Sequence, residues 1–136
     1  MTPLLEALRA ALAGRPGVRL AYVFGSAARD TLRTGSDVDV AVLFAARPSL
    51  DEQCALGEYL TRVAGRRVDL VDLGLAPPLL LREVVKGGQL LWAADDDERL
   101  DFETRALARY MDTAHLRRVQ AEYLREWAEA YRARER

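Results

Sequence analysis

Apolar positions come as short unbroken runs in the first two thirds of the chain and as a helical rhythm in the last third. Val18–Phe24 and Val38–Phe44 are apolar stretches rich in valine and aromatic residues, which predicts two β-strands. A third strand is predicted over 68–73, and a short one, at a sheet edge, over 89–92. Leu4, Leu5, Leu8 and Leu12 mark one face of a helix that Thr2 caps, Pro3 starts and Gly14-Arg15-Pro16-Gly17 ends. Ser49 is the predicted cap of a helix over Leu50–Ala64, with Gly65 as its stop. Pro77 or Pro78 opens another through Lys86, closed by Gly87-Gly88. A short helix is predicted over 27–32, and Thr34-Gly35 turns the chain into the second strand.

From about residue 97 onward there is neither Gly nor Pro, which predicts one helix of ~55 Å at ~1.5 Å per residue. Leu100, Leu107, Met111 and Ala114 trace a stripe expected to pack on the domain. Leu116, Val119, Tyr123, Trp127 and Tyr131 trace a second stripe, available either to a partner or to a helix bent back on itself. Neighbouring arginines and glutamates read as its solvated, ion-paired face. The expected fold is α/β (α+β): a small mixed β-sheet with helices packed on it, plus a long C-terminal helix. One domain spans 1–136, with its core over about 1–95 and the C-terminal helix over about 97–134.

Composition narrows this only a little. The 136 residues are half apolar and 30% charged, which is ordinary for a globular chain and short for a second large domain. A formal net charge of −1 gives no electrostatic case for direct nucleic-acid binding. Cys54 is the only cysteine, so no intrachain disulfide forms and a reducing cytoplasm is expected; its own reading is a small buried hydrophobe on a helix. His115, the only histidine, reads as a surface or boundary residue, and zinc is excluded for want of a second. MTPLLEALRA lacks the pattern of a signal peptide, and no apolar run approaches the ~20 residues of a membrane span.

The chemistry is concentrated between the first two strands. Phe24-Gly25-Ser26 is followed, after ten residues, by Asp37-Val38-Asp39. Alternation along a strand puts Asp37 and Asp39 on one face, and two carboxylates held so close repel unless a cation lies between them. Hard oxygen ligands favour Mg²⁺. Gly25 allows a tight turn and a close backbone approach, Ser26 offers a hydroxyl and an amide, and Arg29 adds a forked donor suited to phosphate. Ser36 can contact phosphate or shape the turn before the acids, with the structural role preferred. A phosphate cradle beside a metal site points to a nucleoside triphosphate. Gly-Ser alone would be an ordinary turn, but two acids opening an otherwise buried strand make the combination informative.

GSAARDTLRTGSDVDVAV resembles the signature of minimal nucleotidyltransferase domains of the DNA polymerase β-like superfamily. RRVDLVDL is similar to the family's third-acid strand, LREVVKGGQLLW to its next helix and strand, and DDERLDFETRALARYMD to the last helix of its antitoxin members. The resemblance implies a nucleotidyltransferase fold, two Mg²⁺ ions held by Asp37, Asp39 and Asp69, and ATP as substrate. Asp69, rather than Asp72, is the implied third acid; strand parity agrees, leaving Asp72 to the turn before Gly74. Gly25 and Ser26, with Arg29 assisting, are the implied phosphate ligands. The implied partner is a HEPN ribonuclease toxin, inactivated by AMP placed on a tyrosine. Two other functions are carried beside it: neutralisation by binding alone, and transfer to a small-molecule hydroxyl. A homodimer is the alternative assembly. One departure stands out: Asp30 follows the arginine where many members have glycine, placing an acid beside the phosphates.

Overall fold

The structure is a computed structural model and describes residues 2–29 and 35–135. The chain runs through α1 (Pro3–Leu12), β1 (Val18–Phe24), a single 3-10 turn (Gly25–Ala27), β2 (Val38–Phe44), α2 (Leu50–Ala64), β3 (Val68–Asp72), α3 (Pro78–Gly87), β4 (Gln89–Ala93), α4 (Asp96–Asp112) and α5 (Ala114–Arg134). Local chemistry accounts for most boundaries. Thr2 accepts from the Leu5 amide ahead of Pro3. Ser49 and Glu52 form a reciprocal capping box, and α2 ends at Gly65 in the left-handed conformation, φ 71°.

The sheet order is β3-β2-β1-β4. β1 is antiparallel to both β2 and β4, and β2 is parallel to β3, so the sheet is mixed, as expected. β3 is one outer strand and β4 the other. Each face has its own apolar core. Leu5, Leu8 and Leu12 of α1 with Leu56 and Leu60 of α2 cover Val23, Val38, Val40 and Val68. Leu81 and Val84 of α3 with Ala106 of α4 cover Leu20, Tyr22, Phe24 and Ala41. Burying a large aliphatic side chain contributes about 1.5–3 kcal/mol, so these two layers set the sheet rigidly between helices.

Polar ties fasten α4 to β1. Buried Tyr22 donates its hydroxyl to Glu103 Oε1 at 2.8 Å, and Arg19 Nε donates to both carboxylate oxygens of Glu98 at 3.1 Å. The C-terminal segment departs from the single helix expected from its lack of Gly and Pro. It breaks at Thr113 (φ −90°, ψ −2°), between α4 and α5. The Thr113 hydroxyl donates to the Tyr110 carbonyl at 3.0 Å, and Arg117 Nη2 donates to the same oxygen at 2.8 Å. An uninterrupted helix would offer that oxygen to the amide four residues on. The Arg117 guanidinium also lies 3.8 Å from the centre of the Tyr110 ring, with Arg82 of α3 5.2 Å from it.

Both stripes stay largely outside the core, and in the first Leu107 and Ala114 are only half-buried. Leu100 and Met111 are exposed, and α4 packs instead through Phe102 and Ala106, because Tyr22 and Arg19 fix its rotation through Glu103 and Glu98. α5, 21 residues long, has no buried residue; Leu116, Val119, Tyr123, Trp127 and Tyr131 are all exposed. The bent-back alternative is therefore not the one adopted. Among the described residues, no helix is long and apolar enough to cross a membrane.

Candidate active site

The Gly25 turn is anchored from both sides. β1 ends at Phe24, Gly25 takes φ +69°, and the following turn sinks Ala27 and Ala28 into the α1–α2 core. Gln89 at the start of β4 donates its side-chain amide to the Ala28 carbonyl at 2.7 Å. Ser26 stands half-buried in the turn and Arg29 is exposed just after it. The helix predicted over 27–32 is replaced, within the described residues, by the earlier and shorter 3-10 turn; its remainder, with Asp30, lies outside them.

Asp39 sits opposite Phe24 in the β1–β2 ladder and so lies beside Gly25. A β-carbon added at Gly25 would stand 2.6 Å from Asp39 Oδ2, which leaves room there only for hydrogen. Asp69 is the register partner of Asp39 on the parallel neighbour β3, at the strand spacing of about 4.8 Å. Both carboxylates share the face of the sheet that carries Ala41 and Val71, the face covered by α3 and α4. Asp37 lies just before β2 and is exposed, with Ser36 half-buried ahead of it. Burial, first of all, pushes the Asp39 carboxyl above the ordinary aspartate range, and repulsion from Asp69, Asp37 and Glu83 adds to it.

Asp69 is also within 3.3 Å of Arg67 Nε, in an ion pair open to solvent. Asp72 instead accepts the Gly74 amide at 2.8 Å, the turn role expected of it. The structure therefore brings Gly25, Asp39 and Asp69 side by side and places Asp37 at their mouth. Among the described residues no three acidic, histidine or cysteine side chains are gathered tightly enough to hold an ion as they stand. Asp69 lies instead against Arg67. The donor set nonetheless suits a hard divalent cation: all oxygen, all anionic, and including one carboxyl whose ionisation costs energy until positive charge arrives. Asp39 and Asp69, with Asp37, are the residues that could hold one.

Two participants escaped the sequence reading. Glu83 of α3 is near enough to add repulsion at Asp39, a tertiary placement with no local signal. Arg67 could have been found, because strand alternation puts it on the face of Asp69. Cys54 corrects an expectation: it is exposed, because α2 buries Leu56 and Leu60 instead. It lines a groove of about 560 Å³ between α2 and β3 whose wall includes Asp69. His115 is exposed, as expected.

Comparison with known proteins agrees with this geometry. Residues 6–97 match the family described as "Polymerase beta, Nucleotidyltransferase". The protein adenylyltransferase MntA of Shewanella oneidensis is 35% identical over 95 residues, 70% of this chain and 68% of that one. A crystal structure of a toxin–antitoxin with AMP-PNP contains a chain 30% identical, TM-score 0.74, matched over 89% of this chain and 94% of its own. A complex of tri-AMPylated Shewanella oneidensis HEPN toxin with MNT antitoxin contains another, 29% identical, TM-score 0.69, over 91% and 98%. Coverage of this extent takes in the C-terminal helices as well as the sheet. The chain belongs to the polymerase β-type nucleotidyltransferase family and is a nucleotidyltransferase.

Proposed function

We propose that this nucleotidyltransferase moves AMP from ATP to a tyrosine hydroxyl of a HEPN-family ribonuclease toxin in the cytoplasm, and thereby acts as its antitoxin. The observation that carries the reading is Asp39, wedged against Gly25 on one side and in register with Asp69 on the other. A relative named protein adenylyltransferase, a solved toxin–antitoxin with AMP-PNP and a solved complex of tri-AMPylated HEPN toxin with MNT antitoxin support the substrate and the acceptor.

Gly25 and Ser26, assisted by Arg29, hold the β- and γ-phosphates at the end of β1, and Ser36 shapes the turn that delivers the acids. Asp37, Asp39 and Asp69 would hold two Mg²⁺ ions, which when bound offset charge on the attacking and leaving oxygens. Asp69, on the strand farthest from Gly25, takes the proton of the acceptor hydroxyl. The hydroxyl oxygen bonds to the α-phosphorus, the α-phosphorus bond to the bridging oxygen breaks, and pyrophosphate departs with that oxygen. The exposed stripe from Leu116 to Tyr131 forms the docking surface for the toxin.

The same stripe favours a second reading, in which binding alone neutralises the toxin. Co-expression with the cognate HEPN protein, then intact-mass measurement, separates the two. AMP adducts that require Mg²⁺ and ATP support transfer. Neutralised toxin without adducts leaves binding alone, and absence of a complex removes both.

A further inference from the structure

We propose that the groove between α2 and β3 receives the acceptor segment as an added, strand-like stretch of polypeptide that presents its hydroxyl to Asp69. The inference rests on the AMP-transfer reading and names the acceptor site within it. Three features of the structure converge on it.

The first is order across the sheet. Gly25 follows β1, Asp39 is on β2, Asp69 is on β3, and the groove lies immediately outside β3. In-line displacement puts the leaving and attacking oxygens on opposite sides of the phosphorus. With the leaving phosphates at the Gly25 end, the attacking oxygen enters from the β3 side, where Asp69 is part of the groove wall.

The second is a backbone edge with no strand beside it. β3 is an outer strand, and Arg67 and Leu73 bond inward to β2. The Val68 amide points outward, to the Thr61 hydroxyl of α2 at 3.1 Å. Alternation sends the Leu70 amide the same way, and no strand of the sheet pairs with it. Such an edge is completed by another main chain, which selects a polypeptide over a small molecule.

The third is the helix wall. Leu50, Cys54, Gly57 and Thr61 fall at helical spacing along α2 and face the groove. Gly57 keeps it open: a β-carbon there would already lie 4.0 Å from that of Leu70, so any larger side chain would fill the space. The occupant thus gains backbone pairing from β3 and a mixed wall from α2, where Gln53, Glu58, Thr61 and Arg62 stand beside Leu50, Cys54 and Gly57. Its hydroxyl oxygen then bonds to the α-phosphorus, losing its proton to Asp69 as pyrophosphate leaves.

The test uses the full chain, ATP, Mg²⁺ and the cognate HEPN protein. Cys54→Arg should raise KM for the HEPN protein at least tenfold while AMP-PNP affinity stays within twofold. In the wild-type chain, saturating HEPN protein should slow maleimide labelling of Cys54 at least tenfold, a measurement that stands whether or not the variant folds. An unchanged KM in folded Cys54→Arg, or labelling as fast with the HEPN protein as without it, overturns the groove assignment while transfer itself persists. Absence of AMP transfer by the wild type overturns the functional reading and this inference together.

Discussion

Two groups of acids on the same face of the sheet are treated in opposite ways. Glu98 and Glu103 of α4 each meet a donor from β1, Arg19 and Tyr22. The hydrogen bond from Arg19 holds the Glu98 carboxyl below its ordinary range, while burial against Glu103 drives the Tyr22 hydroxyl upward. The Asp39 carboxyl, by contrast, is raised, first by burial and then by repulsion from Asp69, Asp37 and Glu83. Acids provided with partners close the fold. Acids set against acids store a demand for positive charge, and that is how the functional end of the sheet differs from its structural end.

That contrast can be broken most severely at Asp39. Asp39→Asn should lower AMP transfer by more than ~10³-fold, measured as labelled AMP on protein, while the metal-free melting temperature holds or rises because repulsion is relieved. Gly25→Ala should come next: its β-carbon collides with the Asp39 carboxylate and its φ of +69° disfavours alanine. We expect ~10²-fold slower transfer and about 1 kcal/mol less stability, read from turnover and urea denaturation. Asp69→Asn should reduce kcat while sparing AMP-PNP affinity, whereas Ser26→Ala and Arg29→Ala should weaken that affinity first. Isothermal titration beside steady-state kinetics distinguishes them. At the structural end, Tyr22→Phe should cost about 1 kcal/mol of stability and leave transfer nearly intact.

The smallest effect is one of pH. A carboxyl raised by folding penalises the folded state once it ionises, so the Asp39 penalty is absent below the unfolded aspartate pKa and complete above its folded one. Glu98 has the opposite sign: its contribution is present above the unfolded glutamate pKa and fades as pH falls through its lowered value. That contribution is small because the pair is open to solvent. Added Mg²⁺ should therefore raise the melting temperature more at pH 8 than at pH 5, and Asp39→Asn should abolish the difference.

Much of the fold was legible because its signals are local. The runs at β1 and β2, the Ser49 cap and the Gly65 stop set boundaries that the structure reproduces. The nearness of Gly25 and Asp39 was readable from the turn and the strand that follows it, whereas Asp69 came from the family resemblance, with which parity agrees. The Thr113 break was not, because it arises from competition for the Tyr110 carbonyl rather than from Gly or Pro. The exposure of Cys54 and the arrival of Glu83 depend on how α2 and α3 are rotated against the sheet, which spacing alone leaves open. The exposure of Leu100 and Met111 has the same origin: the face of α4 that turns inward is the one whose Glu98 and Glu103 are tied to β1.

The break at Thr113 also makes α5 a ruler. It starts just past Tyr110, whose ring lies near the guanidiniums of Arg82 and Arg117, and advances as a regular helix with its aromatic residues exposed. Trp127 and Tyr131, stacked with ring centres 5.6 Å apart, are its far graduation. One residue inserted after Arg118 would turn every later side chain by about 100° and advance it by ~1.5 Å, leaving the sheet and its acids untouched. Distance and phase between this exposed stripe and the candidate site are thus written into the length of a single helix.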